Sequence, residues 1–140
     1  MDRPGRRALT AGLALAIASV LVSTSAGAVR SRAVSLTLHG GKAGAPGSSC
    51  GVHAHWAYFK RGGTVRFSGR VTPAPAARTQ VKVTVWRCYT PRFAVVETQT
   101  ARTSASGAYA GSFPVHARSD CYVQVRLAGS TSKLAYFRVR

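Results

Sequence analysis

The chain has few acidic residues. It contains 3 Asp and Glu against 20 Lys and Arg in 140 residues, which gives a formal charge of +17 at pH 7. Glu97 and Asp120 are the only acidic side chains after residue 2, and neither has a recognisable acid–base neighbour. Chemistry that needs paired carboxylates, such as glycoside hydrolysis, is therefore excluded, and we expect a protein that is not an enzyme and uses no cofactor.

Long apolar runs are absent beyond the beginning of the chain. Residues 8–22 form one run after a basic segment, and small residues follow it at 26–28. This order is typical of a secretory signal peptide, which we place at residues 1–28. The alternative is an uncleaved anchor, but the run is shorter than the roughly 20 residues that cross a bilayer. We therefore expect a secreted protein, located outside the cell or at the cell wall.

Helical periodicity is also absent from residues 29–140, where apolar residues instead recur at every second position. In residues 64–71, for example, Val65, Phe67 and Val71 alternate with polar residues. The pattern predicts an all-β domain over residues 29–140, and Pro114 places its strand at a sheet edge. The seven predicted strands are residues 33–38, 64–71, 80–87, 93–100, 108–115, 121–127 and 133–140.

Seven short strands in about 100 residues are typical of an antiparallel immunoglobulin-like (Ig-like), fibronectin III-like sandwich. One connection is unusually long, a Gly-rich loop over residues 39–63. Within that loop, residues 52–59 are an alternative eighth strand whose buried face the pattern leaves open.

Several segments resemble the Ig-like domains of small secreted bacterial proteins. They are FSGRVTP at 67–73, the Val-rich strand ending in Trp86 and Arg87, the turn at Gly107, and YVQVR at 122–126. The resemblance covers residues 64–140 and implies a β-sandwich used for adhesion, as a scaffold or to present a ligand. This chain departs from the pattern by placing Cys121 inward and Tyr122 outward, where related domains often have an inward tyrosine.

Three cysteines in an exported chain predict one disulfide and one remaining thiol. Cys88 ends the third predicted strand and Cys121 begins the sixth, which is its antiparallel neighbour in an Ig-like sheet, so we expect a Cys88–Cys121 bond. The alternation of side chains along a strand opposes this pairing, because Cys88 shares the outward side of its strand with Trp86 whereas Cys121 points inward. Cys50 paired with Cys121 is the alternative. An unpaired Cys50 would allow a linked dimer in place of a monomer.

Two short motifs suggest chemistry only weakly. Residues 47–51 match the G-x-S-x-G pattern of hydrolases, but the strand and helix that this pattern requires on either side are not predicted. His53 and His55 share one side of an extended segment and are candidate metal ligands. A third ligand would have to be a reduced Cys50, His39 or His116.

The outward positions of the third, sixth and seventh predicted strands combine aromatic and basic residues. Aromatic rings pack on sugars, and arginine binds phosphate or carboxylate through two parallel hydrogen bonds. We therefore expect a non-catalytic module that binds an anionic cell-wall polymer or glycan and binds nucleic acid only non-specifically. The alternatives are a sandwich that binds a small ligand or metal, and a structural or protein-interaction module. The predicted binding face consists of Lys82, Trp86, Tyr122, Arg126, Tyr136 and Arg138.

Overall fold

The computed structural model describes residues 31–140, and the predicted signal peptide lies outside this range. The described residues form twelve β-strands and no helix. No segment within residues 31–140 is therefore a helix long and apolar enough to cross a membrane. The strands are β1 (Ala33–Val34), β2 (Thr37–His39), β3 (Pro46–Ser49), β4 (Val52–His55), β5 (Ala57–Phe59), β6 (Thr64–Thr72), β7 (Gln80–Tyr89), β8 (Arg92–Arg102), β9 (Ala108–Pro114), β10 (Ser119–Leu127), β11 (Ser130–Thr131) and β12 (Ala135–Val139).

The all-β prediction is confirmed, and six of the predicted strands correspond to β6–β10 and β12. The strand predicted at 33–38 is divided into β1 and β2, which pair with the same strand, β6. The interruption lies at Ser35, whose carbonyl accepts a hydrogen bond from the Tyr109 hydroxyl. A Cβ at Gly69 would meet that same carbonyl, so the close approach of the chains there requires glycine.

The prediction of a single long loop at residues 39–63 is wrong, because this segment contains β3, β4 and β5. β3 and β4 form an antiparallel hairpin closed by Cys50 and Gly51. Both turn residues have positive φ, 50° and 75°, as a two-residue type I′ turn requires. The possible eighth strand at residues 52–59 is present, but it is interrupted at Trp56.

The strands form two main sheets. In the smaller sheet, β6 is central, with β1 and β2 along one edge and β9 along the other. The larger sheet has the order β5-β12-β10-β7-β8, with β11 added to β10. Its pairs are antiparallel except β5 with β12, which is parallel. The expectation for Pro114 is confirmed, because within the described chain β9 pairs with β6 alone.

One hydrophobic core lies between the two main sheets. The rings of Phe113 from the smaller sheet and Phe137 from the larger sheet are 5.7 Å apart. Val65, Val83 and Val123 are among the fully buried residues around them. Each such side chain contributes about 1.5–3 kcal/mol through its burial. Two sheets that enclose one core in this way are consistent with a β-sandwich.

The predicted Cys88–Cys121 disulfide is wrong, and so is the alternative Cys50–Cys121 pairing. Cys88 is bonded to Cys50, with Cα atoms 5.9 Å apart, and Cys121 is a buried free thiol. The reason is parity. Cys121 lies opposite Arg87, so the next residue, Cys88, points to the outer face of the sheet while Cys121 points into the core. Because Cys50 is used within the chain, it has no thiol with which to link two chains.

Candidate functional site

The outer face of the larger sheet carries three rows of side chains that run across β10, β7 and β8. Positions two residues apart in a strand lie on the same face, so the register defines each row. The face is the one that the alternation predicted, and the third, sixth and seventh predicted strands do share a sheet. The rows are Tyr122, Trp86 and Val95; then Gln124, Thr84 and Thr98; then Arg126, Lys82 and Thr100.

Two rings of the first row and three neighbouring rings form one aromatic set. We call this set the aromatic row: Trp56, Tyr136, Tyr122, Trp86 and Phe93. The Trp86 and Tyr122 rings stack with centroids 4.8 Å apart and planes at 24°. Tyr122 also meets Phe93 at 4.7 Å and Tyr136 at 5.8 Å. Partial burial and the neighbouring Tyr136 phenol both raise the pKa of Tyr122. These contacts restrain the rings on both sides of Tyr122.

Beside the aromatic row lies an open groove of about 240 Å³, which we call the outer groove. Trp86 and Val95 form one end, and Lys82 and Arg126 form the other. Thr84 is buried in its floor, whereas Lys82 and Arg126 are exposed. Tyr122 stands behind Trp86 and does not line the groove. The groove is lined by Lys82, Thr84, Trp86, Val95, Thr98, Gln124 and Arg126.

The outer groove contains no carboxylate. Glu97 lies opposite Val85, whose side chain points into the core, and therefore on the other face of the sheet. Asp120 is occupied by Arg140 at 2.7 Å and Arg138 at 3.4 Å. Within the described residues, Lys82 and Arg126 have no ion-pair partner. The cationic end of the groove is thus available to an external anion.

Four of the six predicted binding-face residues are grouped at this site. Lys82, Trp86 and Arg126 line the outer groove, and Tyr122 supports Trp86. Tyr136 is part of the aromatic row but borders a different, shallow depression beside Trp56. The remaining residue, Arg138, lies away from the groove.

Arg138 is held beneath the β3–β4 hairpin. Its guanidinium lies 4.7 Å from the centre of the Trp56 ring, and Nη2 donates to the Ser48 carbonyl at 3.3 Å. With the Asp120 contact, these interactions leave 17% of the side chain exposed. The sequence placed Arg138 on the correct side of its strand but gave no sign of the hairpin that covers it.

The two candidate metal ligands, His53 and His55, are exposed on the same side of β4. His53 Nδ1 is 2.9 Å from the Ser48 hydroxyl. None of the proposed third ligands joins them. Cys50 is in the disulfide, His39 is hydrogen-bonded to Ser68 on the smaller sheet, and His116 lines a different cavity with Phe113 and Cys121. Across residues 31–140, no three His, Cys, Asp or Glu side chains are grouped closely enough to hold a metal ion.

The strand β8 supplies groove residues that the sequence analysis did not identify. Its register with β7 shifts between Val85 and Trp86, which places one extra residue in β8. The resulting bulge puts both Val95 and Thr98 on the outer face, although they are three residues apart. Simple alternation assigns them to opposite faces, so no signal in the sequence indicated this pair.

Comparison with known proteins finds no family model that matches this chain and no curated protein that matches it.

Proposed function

We propose that this protein is a secreted, non-catalytic, Ig-like module that associates with anionic polymers or glycans of the cell envelope through the outer groove. One observation carries the proposal. Lys82 and Arg126 are directly opposed on neighbouring strands, exposed and without an acidic partner in the described chain, in a groove whose other end is formed by Trp86. Such a cationic pair attracts phosphate or carboxylate, and the ring adds an apolar contact.

The disulfide supports the proposed location. Cys50 and Cys88 form a bond of a kind that persists in oxidising compartments and is rare in the cytosol. Together with the predicted signal peptide at residues 1–28, it favours export. The excess of basic residues lies largely within residues 31–140, where it suits contact with a polyanionic surface.

Charge reversal at two positions tests the proposed function. The exported chain is mixed with purified envelope polymer, and the retained fraction is measured over a series of salt concentrations. We expect retention at low ionic strength that falls as salt screens the charges. The Lys82→Glu, Arg126→Glu variant should lose most of this retention.

The matched control makes the same change of charge on the other sheet. Arg66 and Arg70 are exposed on β6. The Arg66→Glu, Arg70→Glu variant should keep most of the retention. Equal losses in the two variants would show that net charge, and not the outer groove, is responsible. No retention of the unmodified chain at low salt would remove the proposed function.

A second candidate is a protein-interaction module that uses β8. This strand pairs with β7 alone among the described strands, and it exposes 55% of Val95 and 47% of Val96. An open strand edge with apolar side chains is a common site for another polypeptide. A charged substitution at Val96, outside the outer groove, should abolish such an interaction and leave polymer retention unchanged.

A further inference from the structure

The order of the three rows sets the geometry of a ligand in the outer groove. Trp86, Thr84 and Lys82 follow one another on the same face of β7. Two residues of a strand advance about 6.6–6.8 Å, so the aromatic and cationic ends are about 13 Å apart. A ligand that fills the groove must therefore present a flat apolar surface at one end and a negative charge at the other.

Trp86 provides the apolar end in a fixed orientation. Its indole is stacked on Tyr122, which is itself restrained by Phe93 and Tyr136. Because Trp86 is the one ring that lines the groove, the site offers a single stacking position. A strand of nucleic acid binds best where several rings receive successive bases, and the outer groove has no such series.

The middle row supplies groups that bind hydroxyls. Thr84 and Thr98 line the groove, and a threonine hydroxyl can both donate and accept hydrogen bonds. Gln124 Nε2 donates to the Ser132 carbonyl at 3.3 Å, which fixes the amide and leaves its oxygen as an acceptor. A row of neutral donors and acceptors between a ring and two cations suits a ligand rich in hydroxyls.

Arg126 and Lys82 complete the site as opposed residues on β10 and β7. Arginine can bind both oxygens of a carboxylate or phosphate, and lysine adds a second positive charge. The absence of any carboxylate from the groove lining makes this end complementary to an anion.

From these features we infer that the outer groove recognises acidic polysaccharides, with one sugar ring against Trp86 and the acidic group of a unit further along the chain between Lys82 and Arg126. This inference rests on the proposed function and names its ligand class. It distinguishes sugar-bearing polyanions from polyanions without rings, which the charge alone cannot do.

The test compares four probes with the exported chain at one low salt concentration. They are oligosaccharides of hyaluronan, which alternate a neutral and an acidic sugar; poly-L-glutamate of similar charge; dextran, a neutral sugar polymer; and single-stranded DNA. We expect hyaluronan to bind tightest. The Trp86→Ala variant should weaken hyaluronan binding by about two- to tenfold and leave the weaker poly-L-glutamate binding unchanged. Tyr89→Ala is the control, because Tyr89 is exposed but lies outside the groove.

Fluorescence gives a measurement that does not depend on the folding of the alanine variant. The chain has two tryptophans, and Trp56 is 1% exposed whereas Trp86 is half-buried. Hyaluronan should shield the wild-type emission from acrylamide quenching, and poly-L-glutamate should not. In Trp86→Phe, where Trp56 alone emits, hyaluronan should have no effect on quenching.

Three results would overturn the inference in different ways. Equal binding of hyaluronan and poly-L-glutamate, with no effect of Trp86→Ala, leaves the proposed function intact but removes sugar recognition. Tighter binding of single-stranded DNA that depends on Trp86 changes the ligand class. No binding of any polyanion removes the proposed function together with the inference.

Discussion

Trp86 and Tyr122 lie directly opposite each other on β7 and β10, and their rings stack with centroids 4.8 Å apart. The two rings nevertheless have different positions relative to the outer groove, because Trp86 lines it and Tyr122 stands behind. Substitutions at the two residues should therefore separate ligand contact from support of the face.

Tyr122→Ala should lower the free energy of unfolding by about 2 kcal/mol, because it removes ring contacts with Trp86, Phe93 and Tyr136 at a half-buried position. Tyr122→Phe keeps the ring and should stay within about 0.5 kcal/mol of wild type. Urea denaturation followed by circular dichroism measures both values. An alanine variant as stable as wild type would contradict the packing of the aromatic row.

The cysteines should react in a defined order. Cys121 is 4% exposed, and burial raises the pKa of its thiol despite its hydrogen bond with Ser119. An alkylating reagent should therefore modify no cysteine in the folded chain, one after denaturation, and three after denaturation and reduction. Mass spectrometry counts the added groups, and a peptide map should assign the single modification to Cys121. Labelling at Cys50 or Cys88 without reduction would exclude the observed pairing.

Removal of the disulfide should destabilise the folded chain. The bond joins residues 38 positions apart, and closing a loop of this size contributes about 4 kcal/mol in the chain-entropy model. In urea denaturation, the free energy of unfolding of the Cys50→Ser, Cys88→Ser variant should be lower than that of wild type by a large part of this amount. Cys121→Ser, which leaves the disulfide in place, is the control for the change of cysteine to serine.

Tyr109 should make stability depend on pH in the alkaline range. Burial raises the pKa of Tyr109 to about 12 from its ordinary value of 10.0. Between these values the unfolded chain loses the Tyr109 proton while the folded chain keeps it, so stability should fall as pH rises through this range. Tyr109→Phe should show a shallower fall in unfolding experiments at several pH values. Parallel curves for the two proteins would exclude this assignment.

Arg138→Ala should affect stability more than polymer retention. The guanidinium contacts Asp120, the Ser48 carbonyl and the Trp56 ring, and the loss of such charged contacts costs about 1–3 kcal/mol. Arg126→Ala, at the groove, should instead reduce polymer retention more than stability. A strong loss of retention in Arg138→Ala with unchanged stability would place the binding site at the hairpin.

Alternation in the sequence was sufficient to predict most of the fold. Buried residues such as Val83 and Val123 occur at every second position, which indicates the strand and its inner face together. For the same reason Lys82, Trp86, Tyr122 and Arg126 were correctly grouped on the outer face.

The remaining features depend on contacts between distant segments. The bulge in β8 brings Val95 and Thr98 to the groove, but no residue type in the sequence marks where this bulge lies. The strand β3 consists only of Pro, Gly and Ser residues. Its pairing with β4 outweighs their low strand propensity. The Cys50–Cys88 bond could not be inferred without the position of that hairpin.

The hairpin and its disulfide close one end of the outer face. Cys88 follows Trp86 on the same side of β7, and its bond to Cys50 fixes the hairpin turn just beyond the aromatic end of the groove. A ligand chain aligned with β7 therefore meets the disulfide-linked hairpin turn just beyond Trp86. The end of the groove at Trp86 accommodates the terminal unit of such a chain. The remainder of a longer polymer then extends past Lys82 and Arg126, at the end of the groove away from the disulfide.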